Sequence, residues 1–337
     1  MVKHSSKATG QGRRNRQHHT WLFANEIEKG VRSSRNTSQS LSALRLAVLW
    51  KFAYAITDWL SVGAGIQIQY ADATLTKGIG ALLGDQVSIT GKGWAYGFTA
   101  GLTVRPTPTT TIGIGYRSAL DQKLDGDLLL PNGALFNQPF SSPGSISTTL
   151  NLPDTISVGL RQQLGSRWTG MATIEWSNWS RIGTSVVSQP NGQPALVLNG
   201  FGGGPVTIPF EYKDGWFFSL GAEYQWNDQL ALRGGLGFQN SPITDDVRIP
   251  ILADNDRTWL SIGASYKYSN QLSFDLAYSH LFVKDTPINI TSASNPSFIA
   301  GAPYTGSVDS HIDIVSLALR YRWDQPEATV KTGLYTK

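Results

Sequence analysis

The chain has 337 residues, of which only 15% are charged, with 35 glycines and 11 Trp, 12 Tyr and 13 Phe; a soluble domain carries roughly 25% charge, so little is left here to cover a water-facing exterior. It has no cysteine, which excludes disulfides, thiolate metal sites and cysteine nucleophiles. The net charge of +4 is not spread evenly: residues 1–40 hold eight Lys/Arg against two Glu, leaving 20 Lys/Arg against 22 Asp/Glu in the remainder, so the basicity says nothing about the body of the chain.

Residues 1–40, with Arg13-Arg14-Asn15-Arg16-Gln17-His18-His19 at their centre, are polar and basic. They lack the apolar core of about 7–15 residues that a secretory signal needs. This segment is expected to be a disordered leader, or an artefact of a truncated gene or misplaced start codon; a nucleic-acid or anionic-lipid arm is the less favoured alternative. A mean hydropathy of -0.18 argues against a helical membrane protein. The stretch nearest to a spanning helix, Leu41 to Leu60, is broken by Arg45, Lys51 and Asp58.

From residue 42 the chain alternates with period two, the mark of strands with unlike faces. Leu60, Val62, Ala64, Ile66, Ile68 and Tyr70 oppose Ser61, Gly63, Gly65, Gln67 and Gln69. Trp94, Tyr96, Phe98, Ala100, Leu102 and Val104 do the same against Gly97, Thr99, Gly101 and Thr103, and Trp216 to Trp226 repeats the pattern. Eleven such segments begin near 42, 59, 88, 110, 147, 168, 210, 230, 257, 271 and 309. Short turns near Thr57-Asp58, Pro106 to Thr109, Gly165-Ser166, Asn227-Asp228 and Ser269-Asn270 alternate with long polar loops near 77–91, 119–146, 181–209, 240–256 and 284–308. That order predicts an all-β fold, a transmembrane antiparallel up-and-down β-barrel with tight turns on the periplasmic side and long loops outside. Trp59, Trp168, Trp226, Tyr268, Tyr321 and Trp323 fall beside short turns, and Trp94, Trp176, Trp216 and Phe282 toward long loops, as two interfacial girdles require. A soluble sandwich would alternate too, but its apolar faces would need a common core.

Eleven strands cannot begin and end on the same side of a membrane, and an unpaired edge in lipid leaves backbone groups without partners. An odd number of strands is therefore expected to be missing at the amino end. The domain reading is a leader 1–40, a barrel 41–323 and a polar tail 324–337 beyond Trp323.

The ordered series Phe210-Glu211-Tyr212-Lys213-Asp214-Gly215-Trp216, Leu220-Gly221-Ala222-Glu223-Tyr224, Leu232-Arg233-Gly234-Gly235, Ser241-Pro242-Ile243, Asp254-Asn255-Asp256-Arg257, Ser261-Ile262-Gly263 and Ala277-Tyr278-Ser279-His280 resembles the carboxy-terminal half of the FadL family. Leu152-Pro153-Asp154-Thr155, Trp176-Ser177-Asn178-Trp179 and Leu60 to Gly65 extend the likeness to roughly 42–323. The resemblance implies an outer-membrane transporter of long-chain fatty acids or aromatic hydrocarbons, a 14-stranded barrel with an amino-terminal hatch, and lateral exit through a kinked early strand. Eleven strands would leave three absent, the odd deficit parity asks for, together with the hatch. Passive transport without cofactor, metal or nucleic acid is implied, by a monomer whose partners are the hydrophobic substrate, outer-membrane lipid and lipopolysaccharide, and the barrel-insertion machinery.

Glycine pairs such as Gly63/Gly65, Gly113/Gly115 and Gly235/Gly237 lie within strands, so they read as inward-facing room for a ligand or plug and not as a phosphate loop. Inward polar positions are Gln67, Gln69, Arg117, Arg161, Glu175, Glu223, Arg233, Lys267, Asp275, Arg320 and Arg322. They form either a salt-bridged interior or a carboxylate-binding site; Arg117, Arg161, Glu175, Glu223, Arg233, Lys267 and Arg320 are the candidate wall residues for substrate. The long loops carry Leu128, Leu129, Leu130, Leu135, Phe136, Phe140, Leu196, Val197, Leu198, Phe201 and Phe298, which either gather substrate or pack the loops together. Leu129, Leu135, Phe136, Phe140, Leu198, Phe201 and Phe298 are the candidates there. A hydrolase is disfavoured because His280 falls on the face opposite Ser279 and Asp275. A nonspecific porin, or a truncated barrel without function, are the rival readings.

Overall fold

The computed structural model describes residues 20–28, 39–78, 86–129, 144–194, 207–250, 252–291, 295 and 303–323. Its strands are β1 (Thr20–Glu28), β2 (Gln39–Ala55), β3 (Leu60–Gly78), β4 (Gln86–Thr107), β5 (Thr110–Arg117), β6 (Leu120–Leu129), β7 (Gly144–Leu152), β8 (Thr155–Leu164), β9 (Trp168–Ser177), β10 (Thr184–Val186), β11 (Thr207–Pro209), β12 (Gly215–Gln225), β13 (Leu230–Gln239), β14 (Arg257–Lys267), β15 (Leu272–Val283), β16 (Thr286–Ile290), β17 (Tyr304–Val308) and β18 (His311–Tyr321). Twelve of them form one antiparallel path, β1-β2-β3-β4-β5-β8-β9-β12-β13-β14-β15-β18.

Each of the eleven alternating segments contributes one strand to this path. The structure differs from the sequence reading at the amino end: Thr20–Glu28, inside the segment read as leader, pairs with β2 from Thr20↔Lys51 to Glu28↔Ala43. Trp21 and Phe23 fall on one parity and Leu22 and Ala24 on the other, so there is no period-two contrast to betray the strand. With β1 the path has twelve members, and β1 starts at the end where β18 finishes. Among the described residues β1 pairs only with β2, and β18 only with β15.

The strands form where they do because one face is apolar and the other small or polar. On the apolar face Leu220 is 69% exposed, Leu236 60%, Ile262 59% and Leu317 79%, which is the exterior of a protein whose solvent is hydrocarbon. Trp59, Trp168, Trp226, Tyr268, Tyr321 and Trp323 are exposed at the short-turn ends, and Trp94, Trp216 and Phe282 toward the other. The turns are tight where expected, as in Trp226 N–H to Leu230 O at 2.9 Å. Gly165 adopts φ +80, a value its turn requires and other residues resist.

The long connections are more structured than polar loops. Within 119–152 β6 pairs with β7, while 181–209 holds β10–β11 and 284–308 holds β16–β17. Strands β3 and β4 run on to Gly78 and from Gln86, so 77–78 and 86–91 belong to the sheet. The hairpins carry their own apolar contacts. Ile146 and Val187 are buried together, packed by Ile89, Leu128 and Ile208; Thr286, Ile288 and Ile290 are buried along β16.

Candidate functional site

Register brings one parity of every strand to the face opposite the apolar exterior, here the inner face. At the long-loop end it is apolar: Phe217 meets Trp259 edge-on with ring centroids 5.9 Å apart, and Leu281 pairs with both Trp259 and Ile312. Next comes a belt of small residues, with Gly221 opposite Gly235, Gly235 opposite Ser261, and Ser261 opposite Ser279. Ser261 and Ser279 close their own hydrogen bond at 2.7 Å.

Toward the short turns a charge ladder crosses the strands. Arg161 on β8 lies 3.4 Å from Glu223 on β12, and Arg233 Nε on β13 donates to Glu223 Oε2 at 2.6 Å. Arg233 Nη1 donates to Ser265 Oγ on β14 at 2.7 Å, and the Ser265 hydroxyl donates to Asp275 on β15. Arg320 Nη2 on β18 sits 2.8 Å from Asp275 Oδ2. That last approach is an ion pair off the line of a hydrogen bond, since Asp275 Oδ2 and Arg320 Nε lie buried without a hydrogen-bond partner. Alternating signs are what let these groups share a wall, because each charge is offset by a neighbour of the other sign.

Of the candidate wall residues, Arg161, Glu223, Arg233 and Arg320 are thus brought together, and Lys267 borders the same cavity. Arg117 pairs in register with Thr99 and Thr155, and Glu175 with Ser157 and Phe217; both sit at the long-loop end, away from the ladder. Sequence reasoning passed over Ser265, whose hydroxyl links the two halves; its parity with Lys267 was the available signal. Leu129 pairs through its backbone with Ser88, and its side chain lies outside the described residues, as do Leu135, Phe136, Phe140, Leu198, Phe201 and Phe298. Leu128 packs between hairpins.

A second inner-face feature is the seat of the β6–β7 hairpin. Gln69 Nε2 donates to Gln122 Oε1 at 3.0 Å, and Gln122 Nε2 to Gly93 O at 2.9 Å. A Cβ on Gly93 would lie 2.0 Å from Lys123 O, and one on Gly126 2.0 Å from Thr90 O, so only glycine permits this approach. Gly113, by contrast, has open space beside it.

The motifs at the long-loop ends of the strands converge on the rim. Asn178 Nδ2 donates to Asp154 Oδ1 at 3.0 Å, Trp176 Nε1 to Asp214 Oδ2 at 3.1 Å and Ser180 N–H to Asp214 Oδ1 at 3.1 Å. Lys213 N–H reaches Pro242 O at 2.9 Å. Ser241 donates to Asp254 at 2.7 Å and Arg257 to the same carboxylate at 2.7 Å. Burial on its own would raise the Asp214 carboxyl; the bonds from Ser180 and Trp176 outweigh it and hold the group below the usual carboxylate value. Burial, helped by the Asp254 carboxylate, pushes the Tyr212 phenol up.

His280 lies on the exterior face, with Nδ1 2.7 Å from Asp313 Oδ1 and Tyr278 donating to the same oxygen at 2.6 Å; Ser279 points to the other face, bonded to Ser261. Among the described residues no group of three or more His, Cys, Asp or Glu is placed to hold a metal ion.

A family model described as outer membrane protein transport protein (OMPP1/FadL/TodX) matches residues 23–323. The long-chain fatty acid transport protein of Escherichia coli O6:H1 is 26% identical over 224 residues, covering 63% of this chain and 48% of that protein. Outer membrane protein P1 of Haemophilus influenzae is 26% identical over 273 residues, covering 72% and 56%. The chain therefore spans about half the length of these curated relatives. Among solved structures, a Pseudomonas aeruginosa FadL homologue superposes with a TM-score of 0.71 at 21% identity, covering 87% of this chain and 76% of that one. The Ralstonia pickettii toluene transporter TbuX gives 0.62 at 18%, covering 92% and 79%; these likenesses speak to the fold. With the match running from Phe23 to Trp323, the chain belongs to the OMPP1/FadL/TodX family of outer-membrane transport proteins, and its place is the bacterial outer membrane.

Proposed function

We propose that this chain is a passive conduit for hydrophobic compounds across the outer membrane, with its sheet closed into a barrel by pairing of β1 with β18. Twelve strands allow that closure, because β1 and β18 are then antiparallel neighbours, and lipid penalises two open edges. The observation that carries the function is the two-faced wall: apolar outside, and inside graded from the Phe217–Trp259 tier through the glycine and serine belt to the charge ladder. Such a path offers a hydrophobic molecule apolar contacts at its entrance and free space beyond.

In this reading Arg161, Glu223, Arg233, Lys267 and Arg320 line the exit half, and Arg117 and Glu175 the entrance half. Leu129, Leu135, Phe136, Phe140, Leu198, Phe201 and Phe298 gather substrate from the outer loops. No energy source is needed, because a gradient of the compound drives the flux. The relatives named for fatty acid and for toluene transport support hydrophobic cargo in general.

The test is transfer into lipid vesicles carrying the refolded chain, read with toluene and a long-chain fatty acid as tracers. Saturable uptake above that of bare vesicles supports the proposal. Ion conductance without saturable uptake makes the chain a nonspecific pore, and neither signal sinks both.

A further inference from the structure

Parity sorts charge on this sheet as sharply as it sorts hydropathy. From β5 to β18 along the path, the inner face carries Arg117, Arg161, Arg233, Arg257, Lys267 and Arg320 against the carboxylates of Glu175, Glu223 and Asp275. On the exterior face of the same strands Asp313, at the long-loop end of β18, is the one Asp, Glu, Lys or Arg. Beyond residue 40 the chain holds 20 Lys/Arg against 22 Asp/Glu. The cationic surplus inside is therefore a matter of placement, with the excess of carboxylates lying off this face.

Part of the surplus is offset locally. Arg320 has Asp275, and Arg257 reaches the rim carboxylate of Asp254. Arg161 and Arg233 share Glu223, which leaves one charge over. Lys267, and Arg322 just past the end of β18, have no carboxylate partner among the described residues. The unbalanced charges thus gather toward the short turns, around a cavity of about 320 Å³, room for roughly ten waters at about 30 Å³ each. Hydrocarbon behind the wall holds no ions to screen them, so their field is directed to the aqueous side and concentrates ions of opposite sign there. Above the cavity the glycine and serine belt, with Gly221, Gly235, Ser261 and Ser279, keeps bulky side chains out of the way. A wet passage lined by surplus Lys and Arg is the arrangement that selects anions.

We propose that the lumen has a second activity, the conduction of small inorganic anions in preference to cations, and that Arg161, Lys267 and Arg322 set its sign. An anion keeps most of its water and meets successive cations on neighbouring strands. Each is already partly neutralised or well hydrated, so it attracts the ion without retaining it. This activity rests on the closed barrel proposed above and is independent of the hydrophobic cargo.

The full chain refolded into a planar bilayer, under a potassium chloride gradient and with no hydrophobic compound present, reads the proposal as a reversal potential. The expected chloride permeability is about fivefold that of potassium near 0.1 M salt, where charges are screened over about 10 Å, and it falls toward equality near 1 M, where the length is about 3 Å. Lys267→Glu/Arg322→Glu should reverse the sign of the potential, and Lys267→Arg/Arg322→Lys should keep it. Arg161→Gln leaves Arg233 on Glu223 and should lower the permeability ratio about twofold; it decides the matter if the double Glu variant does not insert. Equal permeabilities, a preference for potassium, or a ratio indifferent to these charge changes overturns the proposal. So does the absence of current: with toluene uptake intact it removes the anion path alone, and with uptake also absent it removes the conduit too.

Discussion

Glu223 and Arg233 are direct register partners across β12 and β13, and Arg233 Nε donates to Glu223 Oε2 at 2.6 Å. Arg161 approaches the other carboxylate oxygen from β8, so one acidic residue balances two cations. Glu223→Gln should therefore cost about 1 kcal/mol of stability in urea, the value for a charged hydrogen bond discounted for the partial exposure of Arg233. The same change should raise the preference for chloride over potassium in a planar bilayer under a salt gradient. A stability loss with no shift in reversal potential would mean the ladder does not face the ion path.

Gly93 and Gly113 make a contrasting pair. Gly93→Ala puts a Cβ 2.0 Å from Lys123 O, and the hairpin has to move, at a cost of about 1–3 kcal/mol. Gly113→Ala meets open space and should be neutral or slightly stabilising. Limited proteolysis between residues 120 and 152 separates them: faster cleavage is expected for Gly93→Ala alone.

Arg248, 2% exposed, donates to the carbonyls of Ile243, Asp254 and Pro287 and pairs with Asp245. It ties loop 240–256 to the start of the β16–β17 hairpin. Arg248→Met leaves three carbonyls without their donor, each worth about 1 kcal/mol or more. The expected outcome is protease sensitivity across 241–256 with the transmembrane sheet intact by circular dichroism.

Asp214 gives the rim a pH dependence. Its folded value lies below the ordinary 3.8, so its contribution is fully present above that ordinary value and is lost as pH falls through the lower, folded one. Contact of Asp214 with Ser180 and Trp176 should thus hold from neutral pH to about pH 4 and fade below it. Asp214→Asn should remove this acid-dependent step in Trp fluorescence; an unchanged titration would assign it to another carboxylate.

The meander was legible because lipid outside and small or polar residues inside impose a contrast on every second residue, as in Trp216 to Trp226. Where that contrast lapses, so does the reading: β1 has apolar residues on both parities, and β16 alternates only within a short stretch that a long loop conceals. The ladder was half visible. Parity placed Arg233, Lys267 and Arg320 on one face, but pairing depends on register between strands far apart in sequence, and Ser265 carries no charge to draw attention. The rim motifs were visible as text, while their convergence around Asp214, Ser241 and Asp254 needed the fold.

Because nearly every strand in the path neighbours the strand before it, most contacts are made between segments joined by a few residues or by a hairpin-bearing loop. Loop closure across Asn227-Asp228 or Ser269-Asn270 costs little entropy, so β12–β13 and β14–β15 can zip early and act as templates for the strands on either side. The cost is deferred to the margins. Until its far side is covered, β18 presents a row of free N–H and C=O groups to any extended segment nearby, which makes the last strand the point where an incoming chain is most open to capture, by the machinery that inserts it or by another copy of itself.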